Sequence, residues 1–344
     1  MATVMPASAI PSAVEDRDAA GRRTAVLVLG MHRSGTSVLT DLLARLGAVP
    51  PTDPNPPAPD NPRGYWEPAG LVRLHDQMLS AADSAWLDTR PLDLSAMGAE
   101  RVRTFTGHLL AALDRSFGTA GLFVLKDPRI CRFVPFYRAL FEVMGIDPKV
   151  VLSLRAPADV AASLFTRNQI SADYAGVLWA HHLLDVERHT RDLPRIVVSY
   201  ETLVSDWRPT ARRLAEFMAA GTRAVDLAWV ESPFEAALHH HRTAAYDVFS
   251  PPLGALLLEI HAVLSRSCED RIDGARLDAL AERLAVISER QADLFSVEFC
   301  FQRLTSPYDA VKAPDPLRER RLLAAALERL HRAEPRHHAE PAPR

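Results

Sequence analysis

The sequence predicts an α/β fold, a parallel sheet flanked by helices and followed by additional C-terminal helices. Three observations carry this expectation. Short apolar runs at 25–29, 122–125, 150–154 and 196–198 have the character of strands buried on both faces. Each is followed by a helical apolar pattern, the rhythm of parallel strands joined by crossover helices. Each also ends in a polar, charged or glycine residue: Gly30, Lys126, Arg155 and Ser199-Tyr200. Ligands of such sheets bind beyond the carboxyl ends of the strands, so these ends are expected to converge on one cleft.

Composition narrows the classes. With 344 residues, 48% of them hydrophobic, the chain can bury a substantial core. A formal net charge of −3 argues against a general nucleic-acid binder. Cys131, Cys268 and Cys300 lie far apart with no CxxC pair, which disfavours a disulfide framework or structural zinc and fits a reducing compartment. Residues 1–20 alternate Ala, Pro, Ser and acidic residues without an apolar core segment, so they read as a disordered tail rather than a secretory signal. No apolar run approaches the roughly 18 residues of a membrane span. The expectation is a soluble cytoplasmic protein with neither a nucleic-acid partner nor a membrane span; oligomeric state is left open.

Taken in order, the first strand runs into Gly30-Met31-His32-Arg33-Ser34-Gly35-Thr36-Ser37, and a helix follows with apolar positions at Val38, Leu39, Leu42, Leu43 and Leu46. Strand, glycine-bounded loop and helix present backbone N–H groups and a helix N-terminus to a phosphate, a P-loop-type arrangement. The nucleotide-triphosphate pattern places Lys after the second glycine; here Thr36 stands there, and the cation, Arg33, precedes Gly35. A cation inside the loop suits a single terminal phosphate held through a bidentate fork. The stretch 50–62 is so rich in proline that neither helix interior nor central strand is allowed, and a long loop beside a ligand site is more often functional than accidental. Helices are expected through Leu71, Leu74, Met78 and Leu79 and over 100–115.

Beyond about residue 205 the chain reads as mostly helical, at 210–218, 254–263, 276–294 and 316–330. Leu257, Ile260 and Leu264, or Leu280 and Leu284, either pack inward or form a dimer seam. His239-His240-His241-Arg242 invites a metal reading, but consecutive histidines on an extended segment point alternately and cannot all ligate one ion. A basic loop closing over phosphates is preferred, with a solvated loop as the alternative. Trp179, Phe165 and Trp207 are expected in the core. The end, 331–344, reads as disordered.

These motifs together resemble the sulfotransferases that use 3′-phosphoadenosine 5′-phosphosulfate (PAPS). The resemblance covers about 25–218 and is nearest to bacterial members with HRSGTS-type loops. It implies that His32, Arg33, Ser34, Gly35, Thr36 and Ser37 form the 5′-phosphosulfate loop, and that Arg155 and Ser163 form the 3′-phosphate site. Tyr200-Glu201-Thr202-Leu203 is similar to the family's Tyr-Glu-Asp-Leu segment, which puts Tyr200 near the adenine. It further implies a sulfotransferase domain over 21–312, with a core at 25–218 and a helical part at 219–312. A C-terminal helix and tail would then occupy 313–344.

The second phosphate site also follows from the residues. Arg155 ends a strand, Pro157 suits the first turn of the next helix, and Ser163 lies on that helix, so both can face one anion. A helix-capping Arg and a solvent-facing Ser are the bland alternative. Lys126, followed by Asp127-Pro128-Arg129, ends a strand where an ammonium can stabilise charge developing on a leaving oxygen; a snorkelling lysine is its alternative. An alcohol acceptor must lose a proton, and Glu67 in Gly64-Tyr65-Trp66-Glu67-Pro68 leads as base, as in related carbohydrate and tyrosylprotein sulfotransferases. Asp127, His32 and His75 are its rivals, and a dipole-facing carboxylate its structural alternative. The expected reaction is metal-free in-line transfer of the sulfuryl group from PAPS to a hydroxyl of a carbohydrate or small natural product, or to an amine. A magnesium-dependent P-loop kinase or NTPase, with Asp127 as metal ligand, and a catalytically inactive binding module are the competing readings.

Overall fold

The computed structural model describes residues 22–58, 61, 64–219, 247–268, 272–306 and 312–333. The expected tail at 1–20 and the His239–Arg242 segment lie outside the described residues. Four strands form the sheet: β1 (Arg23–Leu29), β2 (Leu122–Lys126), β3 (Ile146–Leu154) and β4 (Arg195–Ser199). They are parallel throughout, in the order β2-β1-β3-β4. Strand order reverses direction at β1, which makes the carboxyl ends of β1 and β3 the natural crevice of the sheet.

Burial on both faces explains why the strand sequences are apolar without interruption. Along β1, Ala25, Leu27 and Leu29 enter the larger core, while Val26 and Val28 enter a second core on the opposite face. The second face is covered by α1 (Thr36–Arg45), through Leu39, Leu42 and Leu43, and by α8 (Trp207–Ala219), through Ala211, Leu214 and Met218. The larger core takes side chains from α2 (Ala69–Ala81), α3 (Ala99–Phe117), α4 (Val134–Met144), α5 (Pro157–Asn168) and α6 (Ala172–His189). The outer edge of β2 is partly closed by Val49, whose N–H donates to the Leu122 carbonyl and whose carbonyl accepts from the Val124 N–H.

The short helix α7 (Tyr200–Ser205) follows β4 directly, with the Ser199 hydroxyl accepting from the Thr202 N–H as its N-cap. The later helices are α9 (Pro251–Arg266), α10 (Gly274–Arg290), α11 (Ala292–Thr305) and α12 (Pro316–Ala333). Leu257, Ile260, Leu264, Leu280 and Leu284 are all buried in the larger core, so these positions pack inward. The helix expected over 276–294 is two helices that meet at Gln291, and α11 runs on to Thr305. Helix α12 continues through His331, Arg332 and Ala333, residues the sequence assigns to a disordered end. Trp179 and Trp207 are core residues as expected, whereas Phe165 is 56% exposed. Phe165 sits on the outer face of α5, whose buried face is taken by Val160, Ala161 and Leu164.

Trp179 ties the core to the sheet edge. It is fully buried on α6, and its indole N–H donates to the Arg155 carbonyl at 3.0 Å. Trp179→Ala is expected to lower unfolding free energy by about 3–5 kcal/mol. Trp179→Phe, which keeps most of the volume, should lose less; chemical denaturation checks both.

Candidate active site

The loop between β1 and α1 is set by two close approaches. A side chain at Gly30 would place its Cβ 2.6 Å from the Ser153 carbonyl oxygen of β3. At Gly35, φ is +81° and a Cβ would lie 2.2 Å from the Tyr200 ring, so only glycine lets α7 pack against the loop. The Ser153 hydroxyl donates to the Ser34 carbonyl at 2.8 Å and fixes the loop to β3. The Ser34 hydroxyl itself is buried and, among the described residues, has no hydrogen-bond partner. Thr36 begins α1.

One end of the cleft is built around Lys126, 1% exposed at the carboxyl end of β2. Its ammonium donates to Glu67 Oε1 at 2.8 Å and to Ser37 Oγ at 3.3 Å. The Ser37 hydroxyl in turn donates to the Tyr65 carbonyl and accepts from Asn61 Nδ2. Asn55 Nδ2 donates to Glu67 Oε2 at 3.4 Å. The proline-rich loop is therefore drawn down onto the N-terminus of α1, and Lys126 and Glu67, which the sequence singles out separately, are in direct contact.

Behind this pair lies a buried polar chain that the sequence did not reveal. Arg129 donates to Asp127 Oδ1 at 3.0 Å and to Asp76 Oδ1 at 2.5 Å, and stands 4.0 Å from Glu67 Oε2. Asp127 Oδ2 lies 2.7 Å from His75 Nδ1, and His75 Nε2 lies 2.6 Å from the Tyr137 hydroxyl. Burial alone would raise the Asp127 carboxyl, but Arg129 and His75 hold it below the usual carboxylate range. Burial holds the Tyr137 phenol well above its ordinary value, so it stays protonated beside the His75 ring. His75 and Asp127 are both 0% exposed, and their polar atoms are engaged within this chain of contacts. A basic residue two positions after Asp127 and a histidine on α2 are the signals in the sequence; the meeting of His75 with Asp127, 52 residues away, is not among them.

The other end of the cleft gathers the expected 3′-phosphate residues. Arg155 leaves β3, Ser163 lies on α5, and both are buried. Arg155 Nη1 donates to the Arg33 carbonyl at 2.8 Å, and its guanidinium lies 4.6 Å from the centre of the Tyr200 ring. Arg33, at φ +70°, donates from Nε to Ser163 Oγ at 2.9 Å. The resemblance assigns Arg33 and Ser163 to different phosphates; the structure brings the two side chains together. Glu201 accepts from the Ala156 N–H and from the Ser199 hydroxyl, which joins the starts of α5 and α7.

His32 faces away toward Trp86, with ring centroids 4.4 Å apart, and toward His182 at 6.3 Å. Burial, reinforced by Arg129 and Arg167, puts its imidazole well below the ordinary value, and burial with Arg132 brings His182 down to about 3. The Nε2 atoms of both are buried without a hydrogen-bond partner among the described residues.

A parallel sheet whose first strand feeds a glycine-bounded loop, with basic side chains at its carboxyl edge, defines an α/β protein with a P-loop-type layout. The model described as "Sulfotransferase family" matches residues 25–221, and the chain belongs to that family. Comparison with curated proteins gave no match. Among solved structures, similar chains include the sulfotransferase domain from the Synechococcus PCC 7002 olefin synthase, at 18% identity and a TM-score of 0.40. That alignment covers 78% of this chain and 96% of that domain. The sulfotransferase domain from the curacin biosynthetic pathway aligns at 14% identity and a TM-score of 0.38, covering 79% of this chain and 98% of that domain. No helix among the described residues is long and apolar enough to cross a membrane.

The lowered imidazoles of His32 and His182 give a pH prediction. Unfolded, each takes up a proton near pH 6.5; folded, each stays neutral, so the unfolded state binds more protons below that pH. Stability is then intact above about pH 6.5 and falls as pH drops, by about 1.4 kcal/mol per unit for each histidine. Unfolding midpoints measured from pH 7.5 to 5 should show this decline, and a flat profile would contradict it.

Proposed function

We propose that this protein transfers the sulfuryl group of PAPS to an acceptor hydroxyl, of a carbohydrate or small natural product, or to an amine. The observation that carries the proposal is the meeting, at one sheet edge, of a Lys126–Glu67–Ser37 cluster and an Arg155–Arg33–Ser163 cluster at opposite ends of one glycine-bounded loop. Membership of the sulfotransferase family supports the reaction class.

The residues fit such a donor. The buried Ser34 hydroxyl without a partner, the start of α1 and the loop backbone suit a 5′-phosphosulfate. Arg155 and Ser163, both buried and polar, suit the 3′-phosphate, and Tyr200 beside Gly35 offers an aromatic face to the adenine. When bound, PAPS supplies an activated sulfuryl group. Lys126 stabilises the charge that develops on the leaving oxygen, and its low exposure strengthens that effect. Ser37 holds the ammonium from the loop side. Glu67 accepts the acceptor's proton, and Asn55 and Lys126 fix the orientation of its carboxylate. Arg129, bridging Asp76 and Asp127 behind it, keeps the Glu67 segment in place. In this reading the charge stabilisation comes from side chains and backbone amides, and transfer needs no magnesium.

Thermal shift with 3′-phosphoadenosine 5′-phosphate against ADP tests the donor. A shift is expected with the former and little with the latter, and Arg155→Ala should weaken it roughly ten- to a hundredfold in affinity. Equal shifts with both nucleotides would refute the 3′-phosphate assignment. Glu67→Gln should keep the shift while lowering kcat about a hundredfold or more; unchanged kcat would remove Glu67 as base.

A further inference from the structure

We propose that Arg33, the cation of the β1–α1 loop, reads the 3′-phosphate of the donor rather than its 5′-phosphosulfate, and so sets selectivity for a 3′-phosphorylated adenosine. The inference rests on the PAPS reading above and deepens it. A cation within a phosphate-binding loop is expected to serve the phosphate that the loop itself holds. Here the loop backbone directs it elsewhere. Arg33 has φ +70°, the left-handed region that a non-glycine side chain seldom adopts. That reversal carries its guanidinium across to α5, where Nε donates to Ser163 Oγ at 2.9 Å. Ser163 is 5% exposed, so the contact is made inside the anion corner and not at its rim.

The carbonyl of the same residue accepts from Arg155 Nη1 at 2.8 Å. Arg155 itself is 7% exposed and anchored through its own carbonyl by the Trp179 indole. Two guanidinium groups and a serine hydroxyl thus occupy one corner, joined through Arg33, at residues that come from three separate segments. A phosphate monoester carries a charge near −2 at neutral pH, which two arginines match better than one, each able to offer a planar fork of donors. At the transfer end, Lys126 and Ser37 already supply a buried ammonium and a hydroxyl. Division of labour follows: Lys126 serves the transferring end, and Arg33 with Arg155 and Ser163 serves the 3′ end.

The test is a comparison of two ligands across three proteins. Affinities of 3′-phosphoadenosine 5′-phosphate and of adenosine 5′-monophosphate are measured by calorimetry for wild type, Arg33→Ala and Arg33→Lys. Wild type should prefer the 3′-phosphorylated ligand. Arg33→Ala should weaken that ligand by roughly ten- to a hundredfold and the monophosphate by less than about threefold, so the ratio collapses. Arg33→Lys, which keeps the charge and loses the fork, should recover part of the ratio. If Arg33→Ala weakens both ligands equally and leaves the ratio intact, Arg33 serves the 5′ end and the inference is overturned. If wild type shows no preference at all, the PAPS reading itself fails, a result distinct from the first. Monophosphate binding that persists in Arg33→Ala, together with an unchanged circular dichroism spectrum, shows that the variant is folded.

Discussion

A buried ammonium shapes the site of this protein. Lys126 lies almost wholly out of solvent at the end of β2, and a charge so placed is costly unless paired and hydrogen-bonded. Glu67 and Ser37 meet that requirement. The consequence is structural: a proline-rich loop with little regular hydrogen bonding of its own is pinned to the start of α1. Asn55, Asn61, Tyr65 and Glu67 all take part, either on Ser37 or on the ion pair. The electrostatic demand that pins the loop also gathers the groups proposed to serve sulfuryl transfer.

The opposite end is shaped by contact rather than charge. Gly35 admits the Tyr200 ring where any side chain would collide with it, and Gly30 admits the Ser153 carbonyl. These approaches draw β3, β4 and their following helices against the loop. Arg155 then lies over Tyr200 and reaches the Arg33 carbonyl. Trp179, from the middle of the larger core, holds the Arg155 backbone. Core packing on α6 is thus joined to the backbone of Arg155 at the carboxyl edge of the sheet.

The parts of this arrangement legible in the sequence were those encoded locally. Four apolar runs, buried on both faces, announced the sheet and its carboxyl edge. The loop from Gly30 to Ser37, Lys126 at a strand end, and the Arg155–Ser163 spacing across a strand–helix junction could each be read from neighbours. What escaped depended on distant pairing or on surroundings. Nothing near His75 in the sequence indicates that it is enclosed between Asp127 and Tyr137. The backbone reversal at Arg33 is invisible in residue type, and with it the contact to Ser163. The helix over 276–294 was drawn too far because its apolar pattern continues in phase past Gln291, where the backbone breaks. Residue type alone points Phe165 to the core, but α5 buries its opposite face.

The proposed reaction is the decisive observable. Transfer of radiolabelled sulfate from PAPS to a panel of alcohols, sugars and amines, followed in a single turnover with and without EDTA, tests it directly. Label is expected on an acceptor at a rate that EDTA leaves unchanged. Binding of 3′-phosphoadenosine 5′-phosphate without any transfer, or transfer abolished by EDTA, would contradict it.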